Sequence, residues 1–233
     1  MGVGMSTDEA DPARAGLRPA VVSAVRRTSV MLMILGLVLI AVPAVAFADD
    51  TSPGRLDRSV QSLVDETPSG ARDATLVVDW LGDPAGRALM VLAVAAICLL
   101  AGRRALAITA VVGSILVGVL TTALKHVVDR RIHDDFLSYP SGHTAALTAV
   151  GLVLGLLLVD VLGAGPILGT ALVLGLAAVT GGVMAWAQID LTAHYPTDTL
   201  GGFGSALLVI PVSALLIDRL GQRIVRRTDG TPA

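Results

Sequence analysis

The chain alternates between long apolar runs and short polar segments. A helix needs about 20 mostly apolar residues to cross a hydrocarbon core about 30 Å thick. Six runs approach this length, and none of them carries a charged residue. They span residues 30–48, 88–101, 105–124, 144–159, 166–187 and 199–217. This pattern predicts an all-α fold, a polytopic bundle of six transmembrane helices.

The second and fourth runs are short for a membrane span. We expect each of them to include polar turns at one end, or the bilayer to thin locally. Positive residues favour the cytoplasmic side. With the N-terminus inside, ten Lys and Arg residues fall in cytoplasmic segments and seven in outside segments. The predicted topology therefore has both termini in the cytoplasm.

The first run allows two interpretations. Arg26 and Arg27 precede it and Ala46-Phe47-Ala48 ends it, which is the pattern of a secretory signal with a cleavage site. The apolar stretch of about 20 residues exceeds the usual 7–15 of a signal. We therefore favour an uncleaved anchor.

The segments outside the runs divide the chain further. Residues 1–27 predict a disordered cytoplasmic tail, residues 28–218 the membrane domain, and residues 219–233 a basic cytoplasmic tail. The extracytoplasmic loop 49–87 has helical spacing of apolar residues at 56, 60, 63 and 64, and a second candidate helix at 74–81. We interpret this loop as an amphipathic connector on the bilayer, with a lid or substrate-guiding element as the alternative.

Composition supports the membrane interpretation. Of the 233 residues 54% are hydrophobic and only 15% are charged, against about 25% charged in a soluble domain. The net charge of −2 argues against a nucleic-acid partner. The single cysteine, Cys98, excludes an internal disulfide framework and a cysteine-based zinc site. Its position in an apolar run predicts a small buried hydrophobe.

Ionisable residues gather at the predicted outside ends of the spans. All four histidines fall there: His126, His133, His143 and His194. Lysine, arginine and aspartate residues accompany them in the same segments. Polar groups collected at one end of a helix bundle indicate a functional site.

Two short stretches combine histidine with signals for a helix start. Residues 139–144 read Tyr-Pro-Ser-Gly-His-Thr before the fourth span, where helix N–H groups can bind an anion and His143 can donate a proton. Residues 194–198 read His-Tyr-Pro-Thr-Asp before the sixth span. Asp198 lies four residues after His194, so it can accept the Nδ1 proton and leave Nε2 as a nucleophile or base.

Together these stretches resemble the type-2 phosphatidic acid phosphatase superfamily, the lipid phosphate phosphatases. That family's pattern is Lys-x6-Arg-Pro, then Pro-Ser-Gly-His, then Ser-Arg-x5-His-x3-Asp. The chain has Lys125, the complete second motif at 140–143, and the His-x3-Asp half of the third at 194–198. The two arginine positions hold Ile132 and Gln188.

The resemblance implies a metal-independent phosphatase that needs no cofactor. It implies that His194 attacks phosphorus to form a phospho-histidine, that Asp198 holds His194, and that His143 protonates the leaving oxygen. Phosphoryl oxygens would be bound by Lys125, Ser141 and Gly142. Arg130 and Arg131 lie one or two residues before the motif position and are further candidates, and Gln188 would be a neutral donor.

The implied enzyme lies in the plasma membrane with its site facing the extracytoplasmic side. Its partners would be membrane lipids and a lipid phosphate substrate, a polyprenyl or glycerolipid phosphate or diphosphate; the sequence leaves the oligomeric state open. The absent arginines keep a second interpretation open, a weakened or inactive relative that binds a phospholipid or assembles a complex. Two further alternatives are a transporter and a metal site formed by His126, His133, Asp134 and Asp135.

Overall fold

The computed structural model of the protein describes residues 18–65, 72–133 and 136–228. A short 3-10 helix, Ser23–Val25, precedes eight α-helices in these ranges, and one two-stranded ladder lies between the fifth and sixth helices. The helices are α1 Arg26–Ala46, α2 Arg55–Asp65, α3 Arg72–Gly82, α4 Pro84–Leu100, α5 Arg104–Val128, α6 Gly142–Val161, α7 Pro166–Asp190 and α8 Pro196–Thr228. The strands are β1 Arg131–Ile132 and β2 Phe136–Leu137, which pair antiparallel.

The predicted all-α, multi-span architecture is confirmed. The helices α1, α5, α6, α7 and α8 are each long and apolar enough to cross a membrane. The sixth candidate span is the pair α3 and α4, which meet at an angle of 71°. Helix α4 has only 17 residues. The second run therefore does include polar turns at one end, as its length predicted.

The bend between α3 and α4 has a local cause. Pro84 occupies the first turn of α4, where its missing N–H costs nothing, and Asp83 before it is extended, with ψ 159°. Gly86 lets the two helices approach closely, because a Cβ at this position would lie 2.2 Å from the carbonyl oxygen of Trp80. As a result α3 turns away from the axis of α4 and contacts α6 and α7.

The connector is helical where the apolar spacing predicted it, in α2 and α3. It also covers the end of the bundle. Gln61 on α2 donates to the carbonyl oxygen of Ile189 at 3.2 Å, and Thr75 on α3 donates to Asp190 Oδ2 at 2.9 Å. Both acceptors belong to the last turn of α7, so α2 and α3 contact the bundle at this end of α7.

Small residues allow the spans to pack closely. A Cβ on Gly151 would lie 2.6 Å from the carbonyl oxygen of Leu176, and one on Gly155 would lie 2.8 Å from the Cα of Val173. These two glycines of α6 therefore serve contacts with α7 inside one bundle. Cys98 is fully buried and free, as its sequence position predicted.

Both ends of the described chain differ from the predicted tails. The backbone N–H groups of Ala20 and Val21 donate to the Asp218 carboxylate at 2.6 and 3.0 Å, and both residues are buried. Ala20 and Val21 are thus held against α8 by Asp218 and are not part of a free tail, while residues 1–17 lie outside the described ranges. Helix α8 continues to Thr228, so residues 219–228 extend a helix and do not form a separate tail.

Candidate active site

The functional candidates lie at one end of the bundle. Helices α5 and α7 end there, and α6 and α8 begin there, so the loops that join them are neighbours. All four histidines belong to these ends. His143 lies on the first turn of α6 and His194 just before α8. The backbone N–H of His194 donates to the carbonyl oxygen of Gln188 at 3.3 Å, and the Gln188 side chain donates to Asp79, which lies 3.7 Å from His143 Nε2. The structure therefore brings together the two histidines on which the resemblance depends.

The loop before α6 is fixed by contacts to two other helices. The Ser141 N–H donates to the carbonyl oxygen of Asp198 at 2.9 Å. Gly202 on α8 makes this approach possible, since a Cβ there would lie 2.2 Å from the Ser141 carbonyl oxygen. The buried Tyr139 donates its hydroxyl proton to the carbonyl oxygen of Ile40 on α1 at 2.5 Å. The Pro-Ser-Gly-His stretch is thus held rigidly beside the start of α8.

Two of the predicted phosphate ligands hold this loop in place. Ser141 caps α6, because its Oγ accepts from the Thr144 N–H at 3.3 Å. The Lys125 ammonium group donates to the carbonyl oxygens of Leu137 and Ser138, at 2.5 and 3.4 Å. Gly142 begins α6 beside them, where N-terminal N–H groups favour an anion.

Arg130 forms a buried ion triad with two aspartates. Its Nη1 lies 2.6 Å from Asp198 Oδ1 and its Nη2 lies 2.8 Å from Asp57 Oδ2, and all three side chains have an exposed fraction of 0%. Nη1 also donates to the Thr197 hydroxyl at 2.6 Å. The sequence predicted Arg130 as a phosphate ligand, but the structure places its guanidinium against Asp198, where it orients that carboxylate.

Aromatic rings enclose the triad from both sides. The Arg130 guanidinium carbon lies 4.0 Å from the centroid of the Phe47 ring and 4.5 Å from that of Tyr195. Such cation–π contacts are strongest where water is excluded. Phe47 belongs to the end of α1 and Asp57 to α2, so distant parts of the chain assemble around one arginine.

His194 lies beside Asp198 in the register that the His-x3-Asp spacing predicted. Its Nδ1 is 3.8 Å from Asp198 Oδ2, which also accepts from the Tyr195 N–H at 2.9 Å. This Nδ1 is buried and has no hydrogen-bond partner in the described part of the chain. Catalytic hydrogen bonds are often long before substrate binds, and a shift of about 1 Å would close this one.

A cavity of about 350 Å³ opens beside His194. Arg58 and Gln61 of α2 line one wall, and His133 lines another. The Nε2 of His133 makes a 2.8 Å hydrogen bond with the carbonyl oxygen of Thr192. The cavity gives His194 contact with a space large enough for a small polar group.

Through its Nε2 atom, His143 faces two carboxylates that the sequence did not assign to the site. Its Nε2 is 3.4 Å from Asp83 Oδ1 and 3.7 Å from Asp79 Oδ1. Gln188, predicted as a neutral phosphate donor, instead donates to Asp79 Oδ1 at 2.6 Å. Gly82 lies against the imidazole, since a Cβ there would be 2.1 Å from His143 Cδ2. The spacing of the two aspartates, one helical turn apart, was the only sequence signal for this contact.

The remaining candidates lie outside these clusters. Arg131 pairs with Asp129 at 2.9 Å on the exposed hairpin, and His126 is exposed on α5. The described residues contain no group of three His, Cys, Asp or Glu side chains arranged for a metal ion. Asp134 and Asp135, which the metal-site alternative requires, lie outside those residues.

The buried Asp57 makes the stability of the protein depend on pH. Burial raises the pKa of Asp57, but hydrogen bonds from Arg130, Thr197 and Gly54 lower it more, and the net pKa is below its usual value. Such a group stabilises the fold at pH values above its unfolded pKa, and this contribution is lost as pH falls through the folded pKa. We expect the unfolding temperature in detergent to fall below about pH 4. The Asp57→Asn variant should have a lower unfolding temperature at neutral pH, and that temperature should fall less as the pH is lowered. An equal fall with pH in the variant and the wild type would contradict this role of Asp57.

The fold and the polar cluster at its end define a multi-pass membrane protein with an ionisable site at one face. No family model and no curated protein matches the chain by sequence. In structure it is similar to the transmembrane PAP2-type phosphatidylglycerolphosphate phosphatase from Bacillus subtilis, with a TM-score of 0.56 and 19% identity. The similarity covers 84% of this chain and 96% of the other. It confirms the fold that the resemblance implied.

Proposed function

We propose that the protein is a lipid phosphate phosphatase of the type-2 phosphatidic acid phosphatase superfamily. It hydrolyses a phosphomonoester or diphosphate of a lipid at the extracytoplasmic face of the plasma membrane. The observation that carries this proposal is that His143 and His194, supplied by separate spans, lie at one end of the bundle and are linked through Gln188 and Asp79. Each imidazole has a carboxylate oxygen within 4 Å, as acid–base and nucleophilic roles require.

In the first step His194 Nε2 attacks phosphorus and forms a P–N bond. The bond between phosphorus and the lipid oxygen breaks, and that oxygen takes a proton from His143. Asp198 stabilises the positive imidazole of His194 through Nδ1, while Arg130 fixes the carboxylate from its other side. In the second step a water molecule gives a proton to His143 and its oxygen attacks phosphorus. Phosphate leaves and His194 is restored.

The geometry supports separate roles for the two histidines. His194 Nδ1 lies beside the Asp198 carboxylate, which favours the neutral tautomer with Nε2 free to attack and stabilises the positive charge that develops as the P–N bond forms. His143 Nε2 lies within 4 Å of the Asp79 and Asp83 carboxylates, which orient its imidazole as a proton donor. Phosphoryl transfer depends mainly on such positioning and on electrostatic stabilisation.

The substrate class follows from the membrane setting. The site lies at the ends of the apolar spans, where a lipid can place its phosphate while its chain stays among hydrocarbon. The similar Bacillus subtilis protein is described as acting on phosphatidylglycerolphosphate, which is a glycerolipid phosphate. We propose glycerolipid phosphates and polyprenyl phosphates or diphosphates as the substrates to be compared.

The test is phosphate release by the purified protein in detergent with EDTA, over a panel of these lipids. We expect EDTA-resistant release from at least one lipid, abolished by His194→Ala. His126→Ala is the matched control, because His126 is an exposed histidine of the same end of the bundle and should keep full activity. Release that EDTA abolishes, or that His194→Ala retains, would refute the mechanism.

A second candidate function is phospholipid binding without hydrolysis. The observation that favours it is the loss of both motif arginines, with Gln188 engaged by Asp79 in the structure. Lipid binding with no phosphate release from any member of the panel would support this alternative.

The position of Gln188 yields a prediction about the weakened motif. Gln188→Arg should raise kcat/KM about fivefold in an Asp79→Asn background, because a charged donor contributes about 1 kcal/mol more than a neutral one. In the wild-type background the gain should be smaller, since Asp79 would pair with the new guanidinium. Steady-state kinetics on the best lipid substrate measure both; a fall in both backgrounds would mean that the site is built for a different ligand.

A further inference from the structure

Phosphoryl groups need cationic ligands, and most cations at this end of the bundle are engaged elsewhere. Arg130 is held by two buried carboxylates, and Arg131 pairs with Asp129. Arg58 donates to the carbonyl oxygen of Pro53 at 2.5 Å, and Lys125 donates to two carbonyl oxygens. Three arginines at this end remain: Arg55 and Arg72 are exposed, whereas Arg87, in the first turn of α4, is half-buried. Arg87 is therefore the candidate.

We propose that Arg87 binds the phosphoryl group of the lipid substrate, in place of the arginines absent at positions 132 and 188. This inference rests on the proposed function and names a specificity-determining residue of the same site. Arginine suits the role because its planar guanidinium donates two parallel hydrogen bonds to a phosphate.

The guanidinium of Arg87 lies beside the first turn of α6. Its Nη2 is 3.8 Å from the point where a Cβ would stand on Gly142, and its Nη1 is 3.8 Å from the corresponding point on Gly118. Neither glycine has a side chain to fill the space between them. Arg87 therefore faces the helix N-terminus next to His143, the proposed proton donor.

The donors of Arg87 are incompletely used. Nη2 donates to the carbonyl oxygen of Gly82 at 2.9 Å. Nε is buried and lacks a hydrogen-bond partner, and among the described residues Asp83 acts on this guanidinium without forming an ion pair with it. A buried donor without a partner raises the free energy of the folded protein. A ligand acceptor that hydrogen-bonds to this donor therefore removes the penalty and gains binding free energy.

An apolar groove leads from the lipid region to Arg87. The groove lies between α4 and α5, has a volume of about 820 Å³, and is lined by Val91, Leu92, Ile115 and Val119 among other residues. Arg87 also lines the groove and gives it a positive charge. A lipid chain seated in this groove would present its phosphate to Arg87 and to the first turn of α6. The groove and the cation therefore select a ligand that is apolar along its length and anionic at its end.

Kinetics of three variants test the proposal. Arg87→Gln should lower kcat/KM for dioctanoyl phosphatidic acid about 10- to 100-fold, as expected for a lost charge-assisted hydrogen bond. Arg87→Lys should recover part of this loss, because lysine restores the positive charge but cannot donate two parallel hydrogen bonds to the phosphate. Arg72→Gln, an exposed arginine on α3, is the matched control and should change kcat/KM less than twofold. Inhibition by inorganic phosphate should weaken in Arg87→Gln in parallel, if the anion alone is recognised.

A binding measurement separates this inference from the proposed catalysis. Calorimetry in detergent, in a His194→Ala background that leaves the ligand intact, compares dioctanoyl phosphatidic acid with dioctanoylglycerol. We expect Arg87→Gln to weaken binding of the phosphate lipid at least tenfold and to leave the neutral lipid unchanged.

The outcomes distinguish the two ideas. If release requires His194 but Arg87→Gln and Arg87→Lys both behave like the wild type, the inference fails and the proposed function stands. If the wild type releases no phosphate but phosphate-lipid binding still requires Arg87, the proposed catalysis fails and Arg87 remains an anion ligand. Equal loss of binding for both lipids would assign Arg87 to structure and overturn the inference.

Discussion

Arg130→Gln should lower the free energy of unfolding by about 3–5 kcal/mol, because it leaves two buried carboxylates without their cation. Asp57 and Asp198 have an exposed fraction of 0% and each has a carboxylate oxygen within 3 Å of the Arg130 guanidinium. Removing the charge also frees Asp198 to turn away from its position beside His194. Unfolding followed by circular dichroism in detergent, with increasing denaturant, measures the loss.

The adjacent residue provides the control. Arg131→Gln removes an identical charge from an ion pair whose side chains are about 40% exposed, and such pairs contribute about 0–1 kcal/mol. Losses of similar size in the two variants would contradict the triad. In a double-mutant cycle, Arg130→Gln combined with Asp57→Asn should cost less than the sum of the single changes, because the two sites act as one unit.

The sequence predicted the features that arise from continuous stretches of chain. Apolar runs located the spans because crossing a bilayer depends on local length and composition. Apolar residues 56, 60, 63 and 64 located α2 for the same reason, since helical periodicity is local. His143 precedes the fourth span and His194 precedes the sixth. The chain crosses the membrane twice between them, so both histidines were predicted to lie at the same end of the bundle. These predictions required no knowledge of which side chains touch.

The contacts of Arg130 were beyond such reasoning. Counting from Lys125 in the family motif places Arg130 near a phosphate-binding position. Its partners Asp57 and Asp198, however, lie 73 and 68 residues away in the sequence. Nothing local distinguishes Asp57 from the other aspartates of the loop 49–87, because its burial depends on how α2 meets α8. Arg130, which the motif spacing assigns to the substrate, is therefore held by two carboxylates of the fold.

The same limit applies to the residues around His143. Asp79, Asp83 and Arg87 flank the bend between α3 and α4, and only this 71° bend directs them toward the start of α6. A Pro at the start of a run predicts a helix start but gives no direction for the preceding helix. The acidic pair and the cation thus become visible as site residues only once the helices are assembled.

His143→Ala should lower kcat/KM for lipid phosphates by about 10²–10⁴, the usual contribution of a general acid. A lipid alkoxide is a poor leaving group, so its departure depends on protonation of the oxygen. An aryl phosphate such as p-nitrophenyl phosphate releases an anion that leaves without a proton. The same variant should therefore keep most of its kcat/KM on the aryl ester, because this parameter reports the first step alone, and parallel assays on both substrates measure the difference.

The carboxylates beside His143 extend this argument to their own variants. Asp83 Oδ1 lies 3.4 Å from His143 Nε2, so Asp83→Asn should weaken the proton donor and shift the pH profile for lipid phosphates toward acid, with a smaller effect on the aryl ester. Asp73→Asn changes an exposed aspartate at the start of α3 and should leave both substrates unaffected. If His143→Ala slowed both substrates equally, His143 would be acting in phosphate binding or in folding. The division between a histidine that attacks and a histidine that protonates would then have to be abandoned.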